Sequence, residues 1–384
     1  MFNFSYQNPT RIVFGQNQIS QLSQLVPKGA KILLTYGGGS IKHNGVYQQV
    51  MQALDGFEVV EFSGIEPNPS FETLLKAVEL VKAEGIDYLL PVGGGSVIDG
   101  TKFIAAAVMF EGDPWDILAN RAPVLQAMPL GCVLTLPATG TESNGNSVVT
   151  RYSTQEKLSF ASPLVYPQFA ILDPTVTFSL PPKQVANGVV DAFVHVMEQY
   201  MTYPVNAAVQ DRFAEGLLLT LIEQGPLALK DPQNYDVRAN VMWAATMALN
   251  GLIGQGVPQD WATHMIGHEL TALYGLDHAQ TLAIVLPALL QQQRSQKRAK
   301  LLQYGKRVFN LQHHDEDRLI DETIAHTRAF FEQMGVPTRM ADYGIKPDAV
   351  DALVAKLEQH RMLKLGEHGD ITIDVSRQIL TAAL

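Results

Sequence analysis

Short apolar runs alternate with amphipathic stretches along the first half of the chain. The runs are KILLTY at 31–36, FEVVEFSG near 57–64, DYLLPV at 87–92, CVLTLP at 132–137 and FAILD at 169–173. Between them, GVYQQVMQAL and SFETLLKAVELVKAEG carry helical spacing, with Leu74, Ala77, Val78 and Val81 on one face of the second. This alternation predicts an α/β domain with a mostly parallel sheet. After Leu180-Pro181-Pro182 the pattern becomes helical throughout, as in AAVQDRFAEGLLLTLIEQG, DVRANVMWAATMALNGLI and RLIDETIAHTRAFFEQMG. The expected division is therefore an α/β domain over 1–180 and an all-helical domain over 181–384. No internal repeat or low-complexity tract interrupts it.

A length of 384 residues suits two domains of ordinary size. With 28 basic against 38 acidic residues, a formal charge of −10, a nucleic-acid partner held through a basic surface is not expected. The opening MFNFSYQNPTRIVFG has no basic start followed by an apolar core, and no uninterrupted apolar run reaches the roughly twenty residues of a membrane span. A soluble, cytoplasmic protein is expected. The single cysteine, Cys132, lies in the apolar run GCVLTLP and reads as strand packing rather than a catalytic thiol.

Two GGGS turns follow predicted strands: Gly37-Gly38-Gly39-Ser40 and Gly93-Gly94-Gly95-Ser96. Glycine lets backbone N–H groups come close to an anion, and a helix beginning near Val97 adds its own free donors, so the second turn suits a pyrophosphate. One such loop is as easily a plain βα turn; two at sheet ends favour a nucleotide across a switch point. Neither is a standard motif. Ile98 stands where G-x-G-x-x-G needs its third glycine, and Gly100-Thr101-Lys102 is not the G-K-[ST] of a P-loop.

The second half carries metal-binding chemistry. VVDAFVHVMEQY places Asp191 and His195 one helical turn apart, and WATHMIGHELTALYGLDHAQ adds His264 and His268 at the same spacing, with His278 beyond a Gly275 break. A lone histidine is more often a core or capping residue. Two i,i+4 pairs on apolar helices weigh the other way, because an acid such as Asp191 is costly to bury without a cation. HMIGH has zincin spacing, but Met265 occupies the position of the glutamate base.

GGGS, GGGSVIDGTK, the Asp191/His195 pair and the His264/His268/His278 cluster, together with NPTRIVFG, GIEPNP, NGVVDAFVHVMEQY and PQDWATHMIGHEL, span essentially the whole chain. In that order they resemble the iron-containing (type III) alcohol dehydrogenases, and within them the bacterial butanol-dehydrogenase-like, NADPH-dependent aldehyde reductases. The resemblance implies a dehydroquinate synthase-like architecture, a dinucleotide-binding parallel-sheet domain followed by a helical metal-binding domain. It implies Asp191, His195, His264 and His278 as ligands of one divalent ion, Fe(II) or Zn(II), with His268 close to the metal and nicotinamide as the catalytic histidine. Asp277-His278-Ala279 departs from the Pro-His-Gly of many members.

The same resemblance implies NADP(H) rather than NAD(H), since NADH-preferring members carry an acid just after the first strand and Gly37–Ser40 has none. Gly38 and Ser40 are then expected at the 2′-phosphate, with charge from Lys42 or His43. Gly94, Gly95 and Ser96 are expected at the pyrophosphate and Asp99 toward the nicotinamide. Thr135, Thr139, Asn144 and Lys157 are expected as further contacts, although Lys157 reads equally as a solvated surface charge. The implied reaction is hydride transfer to a short or medium aldehyde, with Trp243, Trp261 and Met265 as candidate pocket residues, and the implied assembly is a homodimer. A glycerol dehydrogenase, a dehydroquinate synthase-like cyclase, a metallohydrolase and a nucleotide-binding sensor are the competing readings. The acid-free first turn, the scarcity of basic residues near the metal motifs, the paired GGGS turns and the intact ligand set weigh against them respectively.

Overall fold

The computed structural model describes residues 1–384. The first strands and helices are β1 (Arg11–Phe14), α1 (Leu22–Leu25), β2 (Lys31–Thr35), α2 (Val46–Ala53), β3 (Glu58–Phe62), α3 (Phe71–Glu84), β4 (Tyr88–Gly93) and α4 (Gly95–Ala107). They are followed by α5 (Asp116–Ala119), β5 (Cys132–Leu134), β6 (Asn146–Arg151), β7 (Glu156–Ala161) and β8 (Phe169–Leu172).

Six of these strands form one parallel sheet in the order β1-β8-β5-β4-β2-β3. Its central strands are apolar on both faces, as a sheet covered on both sides requires. Leu33 and Leu89 pack toward α3 and α4, whereas Ile32, Leu34, Tyr88 and Leu90 pack toward α1 and α2. From β2 the chain moves outward to β3 and then crosses back to β4 on the other side, so the topological switch lies between β2 and β4.

Every strand expected from an apolar run is present. Three elements go beyond the expectation. Edge strand β1 pairs with β8, and β6 and β7 form a separate antiparallel hairpin. The third is a miniature antiparallel pair, β9 (Lys364–Leu365) and β10 (Ile371–Thr372), inside the region expected to be purely helical. Each of its strands is only two residues long, too short to leave an alternating pattern.

The remaining helices are α6 (Pro182–Tyr200), α7 (Ala208–Lys230), α8 (Tyr235–Ala248), α9 (Ala262–Tyr274), α10 (His278–Gln292), α11 (Arg298–Arg307), α12 (Glu316–Gln333), α13 (Ala349–Gln359) and α14 (Ile373–Ala382). Proline at the first position of α6 suits a helix start, where its missing N–H is not needed. The chain packs as two compact units, Gln7–Leu180 with Pro232–Thr246, and Met1–Tyr6 with Pro181–Asp231 and Met247–Leu384. No helix is long and apolar enough to cross a membrane.

Candidate metal centre and nucleotide turns

Helix α6 is buried along most of its length and carries Asp191 and His195 on one face, 4% and 3% exposed. Helix α9 brings His264 and ends at Gly275, whose left-handed φ of 68° terminates the helix and turns the chain back. That return delivers His278 as the first residue of α10. Asp277 caps α10 in a reciprocal box with Gln280, and Lys183 and Asn187 of α6 grip its carboxylate at 2.7 and 3.0 Å. The residues that replace Pro-His-Gly thus make a capped, clamped helix start, with His278 still facing Asp191.

One ligand atom from each of Asp191, His195, His264 and His278 lies within 4.8 Å of the others. Asp191 Oδ1 is 3.5 Å from His195 Nε2 and 3.7 Å from His278 Nε2. A tetrahedral ion with bonds of about 2.1 Å has ligand–ligand edges of roughly 3.4 Å, so these spacings suit one divalent cation. One carboxylate and three imidazoles are a donor set for Fe(II) or Zn(II). His268 is buried and stands apart from the cluster, its ring 5.5 Å from that of His278 and 6.5 Å from that of His264.

Two neighbours of the centre carry signals of their own. Trp261 has a left-handed φ of 64°, uncommon for a bulky residue, and its ring lies 5.2 Å from His264 and 6.3 Å from His195. Glu198, unremarked in the sequence reading, accepts from both the backbone N–H and Nδ1 of His264, each at 3.0 Å. It follows His195 by three residues, and this H-x-x-E spacing was the available signal. Burial, and then the nearby Asp260 carboxylate, push the Glu198 carboxyl well up, while Lys297 opposes this.

Trp243 is 43% exposed on α8 and packs edge-on against Phe14 of β1, 5.8 Å between centroids.

The two GGGS turns meet at the switch point. They leave the same end of adjacent strands β2 and β4, and a Cβ on Gly37 or Gly93 would touch Val97 of α4. A Cβ on Gly95 would lie 2.7 Å from Thr139, so glycine there permits the close approach of that loop. Gly38 differs. It is exposed, nothing lies within 4 Å of an added Cβ, and it is not among the glycines of positive φ. The protein's own packing does not demand glycine at this position, which leaves the turn open to a ligand.

Ser96 Oγ accepts from Asn68 N at 3.3 Å, and Asn68 Oδ1 accepts from Lys157 Nζ at 2.9 Å. Lys157 is 6% exposed, so the solvated-surface reading of it is corrected: the β6–β7 hairpin tucks it against Asn68. Asn68, at φ 57° within GIEPNP, is a polar neighbour of the second turn that sequence reasoning passed over.

Lys42 is also corrected as a source of open positive charge. Its ammonium is bound to Glu61 at 3.0 Å and lies over the rings of Tyr36 and Tyr47, and hydrogen bonding to Tyr36 and Glu61 raises it above its ordinary value. Pairing of β3 beside β2 brings Glu61 there, a neighbour that local sequence does not reveal.

Asp99, Thr141, Asn144 and Lys102 form a buried polar knot. Asp99 accepts from the Thr141 hydroxyl at 2.5 Å and from Val148 N at 3.0 Å. Lys102 Nζ donates to Thr141 Oγ1, Asn144 O and Asn146 O at 2.7–2.9 Å. Burial lowers its pKa to about 8 against the opposing pull of Asp99. Thr135 is tied to β4 by its own N–H to Gly93 O.

Comparison with known proteins joins these observations. The family model of iron-containing alcohol dehydrogenases matches residues 9–174, and that of the C-terminal part of the same family matches 185–383. The chain belongs to the iron-containing alcohol dehydrogenase family. Among iron-containing alcohol dehydrogenases and their relatives, it is 61% identical to the NADPH-dependent aldehyde reductase YqhD of Escherichia coli, over 100% of both chains. It is 43% identical to a probable NADH-dependent butanol dehydrogenase of Bacillus subtilis, over 93% of each. A crystal structure of the E. coli protein superposes with a TM-score of 0.99 over 100% of this chain and 99% of that one. The NADH-dependent butanol dehydrogenase A of Thermotoga maritima, 37% identical, gives 0.96 over 100% and 99%.

Proposed function

We propose that this protein is an NADPH-dependent aldehyde reductase, reducing short or medium aldehydes to primary alcohols. The observation that carries the reading is the convergence of Asp191, His195, His264 and His278 in a chain 61% identical to an NADPH-dependent aldehyde reductase. We assign these four residues as ligands of one Fe(II) or Zn(II) ion. Residues 1–180 are assigned to dinucleotide binding and 181–384 to metal binding, in a cytoplasmic homodimer.

When bound, the ion supplies Lewis acidity to a carbonyl oxygen and the reduced nicotinamide supplies the hydride. The chain's own residues do the rest. Gly94, Gly95 and Ser96 present the amides at the start of α4 to the pyrophosphate. Gly38 and Ser40 leave room and a hydroxyl for the 2′-phosphate, selected by neutral donors because Glu61 engages Lys42. Asp99 and Asn144, held with Lys102, set the shape of the loop that carries Thr139, and Thr135 and Lys157 complete the assigned cofactor contacts. An imidazole nitrogen of His268 holds the proton that the nascent alcohol takes up. Trp261 and Met265 limit water near the ligands.

Absorbance of the reduced nicotinamide with butanal, comparing NADPH with NADH before and after chelation and metal return, tests the assignment. Faster oxidation of NADPH that is lost on chelation and restored by Fe(II) or Zn(II) is expected. Preference for NADH would remove the 2′-phosphate assignment, and no turnover over a broad aldehyde panel in metal-loaded protein would remove the reductase reading.

A further inference from the structure

We propose that Glu198 is the positioning residue that sets metal affinity, by holding the ring and the helix of one ligand together; this rests on the metal-centre reading above. Histidine ligands need their second nitrogen engaged, because that contact fixes the tautomer, the ring plane and the basicity of the nitrogen that binds the ion. Of the three histidines in the cluster, His264 has a carboxylate in this role. Glu198 Oε1 accepts from His264 Nδ1 at 3.0 Å, and the protonated Nδ1 leaves the lone pair on Nε2.

The same oxygen accepts from His264 N at 3.0 Å. This amide belongs to the start of α9, where the first N–H groups have no partner within the helix. Glu198 therefore caps α9 from α6 and orients the ring that α9 carries. Both contacts issue from the helix that bears Asp191 and His195, so three ligands are held in one frame.

Glu198 is itself anchored. Its backbone carbonyl accepts from Asp260 N at 2.9 Å, and the Asp260 carboxylate is bound to Lys297 at 2.7 Å. Lys297 also holds Glu367 at 2.8 Å and donates to Met201 O at 2.8 Å, all within a buried region. Asp260 and Glu367 thus share a single cation, and the Asp260 backbone ties that pair to the Glu198 end of α6.

Cobalt(II) titrated into the metal-stripped full-length chain, followed by its visible ligand-field bands, tests the proposal. Glu198→Gln keeps an acceptor for the His264 amide of α9 but loses the charge on the ring contact; Glu198→Asp keeps the charge but withdraws it. Both are expected to weaken cobalt(II) binding by about 10- to 100-fold and to change the band envelope. The melting temperature of the metal-free Gln variant should match that of the metal-free parent, a result that separates ligand positioning from capping alone. Parent and variants binding within roughly threefold of each other, with the same bands, overturns the proposal and leaves the metal centre standing. A parent chain that takes up no cobalt(II) overturns both.

Discussion

Lys102 shows how one buried charge can hold a loop. Its ammonium satisfies Thr141, Asn144 and Asn146 together, and Lys102 itself is fully buried. Lys102→Met leaves Asp99 buried without its countercharge, and loss of about 3–5 kcal/mol is expected in urea unfolding. Burial sets the folded pKa near 8 against 10.5 for the free side chain, so the unfolded chain binds the proton more tightly. The Lys102 contribution to stability accordingly rises from about pH 8 toward 10.5, and the parent-minus-variant difference should widen across that window. His268 lies beside the metal cluster and outside it. His268→Asn is expected to lower kcat with metal content unchanged by elemental analysis; a matching fall in metal would make it a ligand. Helical i,i+4 spacing paired Asp191 with His195 and His264 with His268, and it was the family resemblance that put His278 in place of His268 among the four residues that converge. The sequence reading passed over Glu198, Asn68 and the Glu61 partner of Lys42, and left Lys157 between two readings, because their partners come from elements distant in sequence.

At the scale of elements, the start of α4 concentrates the demands on the nucleotide turn. A methyl at Gly95 meets both Thr139 Cγ2 and Oγ1 at 2.7 Å. Gly95→Ala should therefore displace the Thr139 loop at a cost of about 1–3 kcal/mol. If binding bears most of that cost, KM for NADPH rises about tenfold or more, while cobalt(II) binding at the metal centre stays as in the parent. Buried parallel strands were legible because they are continuous apolar runs bounded by turns. Strand β1 was not, being four residues at a half-exposed edge. The β6–β7 hairpin mixes Ser, Thr, Lys and Glu with its apolar residues, so its alternation is weak.

For the whole molecule, the break at Leu180–Pro181 separates long stretches of the two compact units, but Pro232–Thr246 packs with the first unit and Met1–Tyr6 with the second. Such exchanges are invisible to a reading that divides a chain by pattern alone. Buried Met242 shows the cause, sharing an apolar cluster with Ile98, Cys132, Leu134, Ala170 and Leu172. An ion that binds only the folded chain stabilises it by mass action, about 4 kcal/mol at a thousandfold excess over Kd. Chelation should lower the melting temperature of the parent by several degrees and that of Asp191→Asn very little, as read by differential scanning calorimetry. The four proposed ligands also differ in their access to water. Asp191, His195 and His264 have side chains no more than 6% exposed, whereas His278 is 23% exposed at the first position of α10. If these four residues hold the ion as proposed, His278 is the ligand that water would reach first, and the firmness of the α10 start is expected to govern how long a captured ion resides.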